Sequence, residues 1–148
     1  GFFYVLSAFS TQEAAPEKAS KPFDKRLDGM IPSGGAASLV LESYESAVKR
    51  GAPILAEVIG YGFSSNGDHI SVPNVDGPKR YRQMAIKDAG SALEQISYIN
   101  ARATSAPVGD LNEAKAIAEV FEGHHPYVTS TKSMTGHEMW MAGASEVI

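Results

Sequence analysis

The sequence predicts an α/β domain, with helices layered on a sheet. Two observations predict it: apolar runs of strand length alternate with amphipathic helical stretches, and glycine, proline and asparagine punctuate the joins. No internal repeat or low-complexity segment points to another architecture.

Residues 11–35 are rich in turn formers, with Pro16, Pro22, Asp28-Gly29, Pro32 and Gly34-Gly35, and read as a long loop. Ala36–Leu41 is a short apolar run read as a strand. Glu42–Arg50 reads as a helix with Tyr44, Ala47 and Val48 on one face and Gly51 as its stop. Ile54–Phe63, rich in branched residues, reads as a second strand, followed by a polar loop over 67–77 that holds His69. Pro78 suits the first position of a helix running to Ala89, stopped by Gly90. The spacing Ser91 to Glu94 is that of a capping box and predicts one further turn. Ser97–Asn100 reads as a third strand. Asp110 to Phe121 reads as an amphipathic helix with Leu111, Ala114, Ile117 and Phe121 inward. Tyr127–Ser130 reads as a fourth strand, and a last helix starts near Thr135.

With 148 residues, 43% of them hydrophobic and 20% charged, one packed domain is feasible over 1–148. The net charge of -4 gives no electrostatic reason to expect nucleic acid or an anionic membrane as partner. There are no cysteines, so the chain itself holds no disulfide, thiolate metal site or thiol nucleophile. Gly1–Ser10 lacks the charged start of a signal peptide and no apolar run has spanning length, so a cytoplasmic location is expected. Both ends read as cut from a longer protein. Gly1-Phe2-Phe3 has no initiator methionine, and Ala144–Ile148 closes inside an apolar helical pattern.

Generic motifs fail. Gly60-Tyr61-Gly62 lacks the third glycine of a dinucleotide fingerprint, and His137-Glu138 lacks the second histidine of a zinc-protease helix. His124-His125 reads as a solvated loop, so neither a metal nor a cofactor is expected. Two stretches are more specific: Tyr98 to Glu113, and Ser130-Thr131-Lys132-Ser133-Met134-Thr135-Gly136-His137. Each puts polar groups where a strand ends and a helix begins, which is where ligands bind in open α/β sheets. Both also read as plain helix starts, since Asp110 with Glu113, and Thr135 with Glu138, have capping spacing. A histidine in the first turn of a helix would feel the macrodipole and stay neutral, able to donate a hydrogen bond to a carbonyl or enolate oxygen. His137 is placed to do so. Lys132 can pair with a carboxylate such as Glu113.

At these stretches the chain resembles the β-ketoacyl synthase family. That family's Asn-Ala-His-Gly-Thr-Ser-Thr-Pro stands here as Asn100-Ala101-Arg102-Ala103-Thr104-Ser105-Ala106-Pro107, and its Lys-Ser-Met-Thr-Gly-His is matched in full by Lys132–His137. Pro22-Phe23-Asp24-Lys25-Arg26-Leu27-Asp28-Gly29 matches a third motif, with Leu27 in an arginine's place. Glu57–Gly62 and Ala142-Gly143-Ala144 fit as well. The resemblance implies a thiolase-like layered α-β-α half, incomplete at both ends, with the cysteine nucleophile in an N-terminal half upstream of Gly1. It implies acyl transfer from acyl carrier protein, then decarboxylation of a malonyl carrier protein and Claisen condensation, in fatty-acid or polyketide synthesis. His137 matches one of two enolate-stabilising histidines, and Lys132 the motif lysine. Glu113 and Asp110 match supporting acidic positions, and Thr104 a threonine that contacts the pantetheine arm.

The departures bear on activity. Arg102 stands where the family has its other catalytic histidine, and a guanidinium can bind a carboxylate but does not replace a neutral imidazole. Ala106 removes a threonine hydroxyl, Ala103 stands for a glycine, and Ser33-Gly34 for a glycine followed by an acidic residue. Two readings follow: a condensing enzyme, or a non-catalytic partner subunit like the chain-length factors that pair with an active synthase. A small unrelated ligand-binding α/β domain is a third. The missing N-terminal half is the expected intramolecular partner, and a homodimer or heterodimer the expected full-length form. An isolated half would expose apolar surface and self-associate.

Overall fold

The computed structural model describes residues 8–68 and 72–148. The readings that rest on Gly1–Ser7 and on His69 lie outside the described residues.

The sheet has two parallel strands, β1 (Tyr98–Asn100) and β2 (Tyr127–Thr129), in register from Tyr98 opposite Tyr127 to Asn100 opposite Thr129. The pairing continues one residue further, where the Ala101 amide donates to the Thr129 carbonyl at 2.7 Å. These are the third and fourth strands read from the sequence, and they are neighbours.

Among the described residues there are five helices: α1 (Tyr44–Lys49), α2 (Asp76–Asp88), α3 (Pro107–Val120), α4 (Lys132–Thr135) and α5 (Ala142–Val147). Ser43 caps α1, its hydroxyl accepting from the Ser46 amide at 3.3 Å, so this helix starts two residues later than expected. Asn74 holds the start of α2, its side chain accepting from the Gly77 amide at 3.0 Å. Pro107 opens α3, where its missing N–H costs nothing. The turn near Ser91 forms as a 3-10 turn over Leu93–Gln95. Its cap is Gln95 rather than Glu94: the Gln95 side-chain Oε1 accepts from the Ala92 amide at 2.8 Å. α2 packs on α3.

The core forms where α3 covers the end of β1. Ala101, Ala103, Ile117, Val120 and Phe121 are buried there, with Phe23, Ile86, Leu93, Ile96 and Ile99 packed against them. Alanines suit 101 and 103 because the helix lies directly over the chain leaving β1.

Four expectations need correction. Neither Ala36–Leu41 nor Ile54–Phe63 forms a strand: a strand exists only where a neighbour takes up its ladder, and among the described residues neither has one. Their apolar side chains face outward, with Val40 89% and Leu55 97% exposed. The second segment instead lies against α2, where a side chain on Gly62 would sit 1.9 Å from the Tyr81 carbonyl oxygen. The Asp88 carboxylate takes its Tyr61 amide at 2.9 Å. On α1 only Ala47 is buried; Tyr44 and Val48 are exposed. On α3 the inward stripe is Asp110, Glu113, Ala116, Ile117 and Val120, not Leu111 and Ala114, so two carboxylates occupy the first half of the buried face. Finally, no helix starts at Thr135. That residue ends α4, a 3-10 turn follows over Met139–Met141, and the last helix begins at Ala142.

Among the described residues no helix is long and apolar enough to cross a membrane.

Candidate active site

The site is built from the two loops that leave β1 and β2. The β1 loop, 101–106, turns through Ser105, a fully buried residue at φ 70°. A non-glycine residue there is strained and needs outside support. Asp110 supplies it. Its carboxylate accepts from the amides of Thr104 (3.0 Å), Ser105 (3.2 Å), Ala106 (3.2 Å) and, across the chain, Phe23 (3.0 Å). Asp110 is thus no N-cap: it sits in the fourth position of α3 and reaches back over the loop. Burial pushes its carboxyl above the usual value, and the four amides pull the other way.

The segment at 20–23 is stapled onto both loops. The Lys21 amide donates to the Ser105 hydroxyl at 3.0 Å, and the Ser20 hydroxyl to the Lys132 carbonyl at 2.6 Å. Ser130 ties the loops together, its hydroxyl donating to the Ala103 carbonyl at 2.7 Å. Thr104 is 3% exposed within this network, its side chain turned away from bulk water.

The β2 loop carries Lys132, Gly136 and His137. Lys132 is 2% exposed, which excludes an ordinary surface lysine. Its ammonium pairs with the Glu146 carboxylate of α5, not with Glu113 as expected. Glu113 is instead taken from two sides, by the Arg82 guanidinium of α2 and by the Arg102 amide at 3.0 Å. The Arg82–Glu113 pair is nearly dry, with side chains 10% and 7% exposed.

His137 lies between α4 and the 3-10 turn, so the helix-dipole argument for it does not hold. Its backbone is held by residues 31–33 instead: its amide donates to the Ile31 carbonyl at 2.7 Å and its carbonyl accepts from the Ser33 amide at 3.0 Å. Gly136, at φ +71°, permits this approach, since a Cβ there would lie 2.9 Å from the Ile31 oxygen. The imidazole is held below its usual pKa all the same, first by burial and then by the positive charges of Arg102 and Lys132. Its Nδ1 is buried without a hydrogen-bond partner. An imidazole whose charged form is disfavoured in this way is suited to donate a ring N–H to a developing oxyanion.

The structure therefore groups His137, Lys132, Arg102, Glu113 and Asp110 around two adjoining loops. Arg82 and Glu146 complete the ion pairs, and sequence reasoning missed both. The signal for Arg82 was its place one turn before the inward Ile86; a charge on that stripe needs a carboxylate facing it. His124 is not a free loop residue: its Nε2 lies 2.8 Å from the Ile96 carbonyl. Among the described residues no cluster of three or more acidic, histidine or cysteine side chains could hold a metal.

The model of the family described as "Beta-ketoacyl synthase, C-terminal domain" matches residues 55–148. A 3-oxoacyl-[acyl-carrier-protein] synthase 2 of Coxiella burnetii is 45% identical over 153 aligned positions, covering 100% of this chain and 37% of the relative. Among solved structures, the ishigamide ketosynthase/chain length factor superimposes with a TM-score of 0.90 at 39% identity, covering 99% of this chain and 35% of that one. A type II polyketide acyl carrier protein in complex with its ketosynthase bound to the hexaketide (AntDE:AntF) matches with a TM-score of 0.93 at 38% identity, over 99% and 37%. The chain thus spans little more than a third of the relatives it matches.

Proposed function

The chain belongs to the β-ketoacyl synthase family and has its thiolase-like α/β fold, and from this premise we propose that the protein carrying it joins an acyl thioester to a malonyl thioester held on acyl carrier protein. In that reaction the bond between the malonyl carboxylate carbon and the α-carbon breaks and carbon dioxide leaves. The electron pair enters an enolate, whose carbon attacks the acyl thioester and expels its thiolate. With no cysteine in these residues, the acylated thiol belongs to the remainder of the protein.

One observation carries this reading: the His137 imidazole, fixed through its backbone, is held below its usual pKa by burial and by two neighbouring positive charges. Through a ring N–H that faces the site it donates to the enolate oxygen. It is ready before the substrate arrives, so little reorganisation is needed as charge develops. Lys132 and Glu146 fix the wall of the site as an ion pair, and Asp110 holds the loop that carries Arg102.

The test is carbon dioxide release by the complete protein from malonyl carrier protein, with acyl carrier protein as co-substrate. Turnover that falls about 10²–10³-fold in His137→Ala is the expected result. A complete protein that releases carbon dioxide equally well with His137→Ala would overturn the role given to this imidazole.

Arg102 favours a second reading, a chain-length-factor-like partner subunit, because a guanidinium stands where the family has a second imidazole. Arg102→His separates the two. In a working synthase it adds the missing donor and raises decarboxylation; in a partner subunit it changes nothing.

A further inference from the structure

Away from the site, the loop that leads into α2 carries a pair of residues set to react with each other. The chain has four asparagines, at 66, 74, 100 and 112, and only Asn66 precedes a glycine. An asparagine loses its amide when the next residue's backbone nitrogen attacks its side-chain carbonyl carbon. A side chain on that next residue hinders the attack, and glycine leaves it open. Three of the four are held back by their bonds as well. Asn74 donates to the Asp68 carboxylate at 2.5 Å and accepts from the Gly77 amide at 3.0 Å. Asn100 donates to the Glu146 carbonyl at 3.2 Å, and Asn112, inside α3, to the Pro73 carbonyl at 2.9 Å. Asn66 differs on every count. It is exposed, and among the described residues neither its side-chain amide nor the Gly67 N–H has a hydrogen bond. Gly67 stands at φ +74°, with nothing within 4 Å of the place of a Cβ. Asp28-Gly29 shows the opposite arrangement. Its carboxylate takes the Ser10 hydroxyl and the Thr11 amide, and a Cβ on Gly29 would lie 2.3 Å from the Phe9 carbonyl carbon.

We propose that Asn66-Gly67 is a self-modification site, where the chain turns its own asparagine into aspartate and isoaspartate with water as the only co-reactant. The Gly67 nitrogen loses its proton and bonds to the Asn66 side-chain carbonyl carbon. The bond from that carbon to Nδ2 breaks, and ammonia leaves with the proton, closing a succinimide ring. Water then opens the ring at either of its two carbonyl carbons. One opening leaves the new carboxylate on the side chain, as aspartate. The other leaves it at the main-chain position and routes the chain through the former side chain, as isoaspartate. Either product gains a negative charge. That charge stands beside α2, because Asn66 Oδ1 lies 1.8 Å from the place of a Cβ on Gly77. The helix N-terminus favours a negative charge there, so aspartate leaves the start of α2 intact. Isoaspartate does not. The Ser65 carbonyl accepts from the Arg80 guanidinium at 2.5 Å, and the Asp68 carboxylate from Asn74. An extra carbon in the chain between these two anchors puts them out of register and loosens the loop from α2.

The experiment incubates the complete protein at mildly alkaline pH and follows each asparagine-containing peptide by mass spectrometry, with and without urea. Asn66 should lose its amide first, and isoelectric focusing should show an acidic species with one added negative charge. Both changes should be absent from Asn66→Gln, whose longer side chain closes the ring poorly. Urea should speed the loss at Asn74, Asn100 and Asn112, which the fold protects, and leave the rate at Asn66 nearly unchanged. The isoaspartate fraction should unfold at a lower temperature than Asn66→Asp, which carries the charge without the lengthened chain. No loss at Asn66, a loss that urea speeds as much as the others, or an acidic species that persists in Asn66→Gln would overturn the proposal. Equal unfolding temperatures for the isoaspartate fraction and Asn66→Asp would overturn the loosening of the loop.

Discussion

The Arg82 guanidinium of α2 meets the Glu113 carboxylate of α3 in a nearly dry ion pair that also receives the Arg102 amide. A pair this buried is costly to break from one side, because the survivor keeps a charge with no water to solvate it. Glu113→Ala should destabilise the fold by roughly 3–5 kcal/mol. Arg82→Met together with Glu113→Leu should cost much less than Glu113→Ala. Chemical denaturation of the three proteins checks this; equal losses would show that the charge is not what matters.

Gly136 makes a sharper case. Alanine would need φ +71° and would push a methyl to 2.9 Å from the Ile31 carbonyl oxygen. Gly136→Ala should therefore destabilise by more than about 1 kcal/mol and loosen the backbone bonds at His137. Faster hydrogen exchange at the His137 and Ser33 amides is the readout.

His137 should remain uncharged to lower pH than a free histidine. A pKa depressed in the folded state adds stability that is complete above the unfolded value near 6.5 and is lost as pH falls through the folded value. The stability gap between wild type and His137→Gln should hence shrink on acidification below about pH 6.5. Arg102→Gln removes one of the positive charges that depress the imidazole, so its NMR titration midpoint should move up. A midpoint at or above the free value would contradict the burial that defines the site.

The 148-residue chain by itself should form no condensed β-ketoacyl product from acyl and malonyl carrier proteins, since it contains no cysteine to hold the acyl group. It should also self-associate, because Val40, Leu55, Val58 and Tyr61 present apolar surface outward. Sedimentation of a clean monomer at high concentration would refute the second expectation, and turnover the first.

The sequence made β1, β2 and α3 legible because their information is local, short apolar runs and a stretch of 3.6-residue periodicity, although α3 begins at Pro107 and not at Asp110 as expected. It misjudged Ile54–Phe63, since composition reports how well a segment would fit a sheet and not whether a neighbour exists to pair with it. Asp110 and Glu113 were visible as candidate site residues, but as caps. Their true partners, Phe23 and Arg82, lie 87 and 31 residues away, beyond any local pattern. A lowered pKa for His137 was expected from a helix dipole, and burial comes first among its causes instead.

The bonds from Ser20 and Lys21 bear on how the chain reaches this state. They join residues 112 and 84 positions apart, so the entropy of closing long loops is paid before either forms. The 20–23 segment is expected to dock late, after β1, α3 and β2 have come together. Weakening it with Ser20→Ala would then speed unfolding and leave the folding rate nearly untouched. Until that docking, the strained turn at Ser105 lacks the Lys21 amide on its hydroxyl, and the site is assembled but not yet locked.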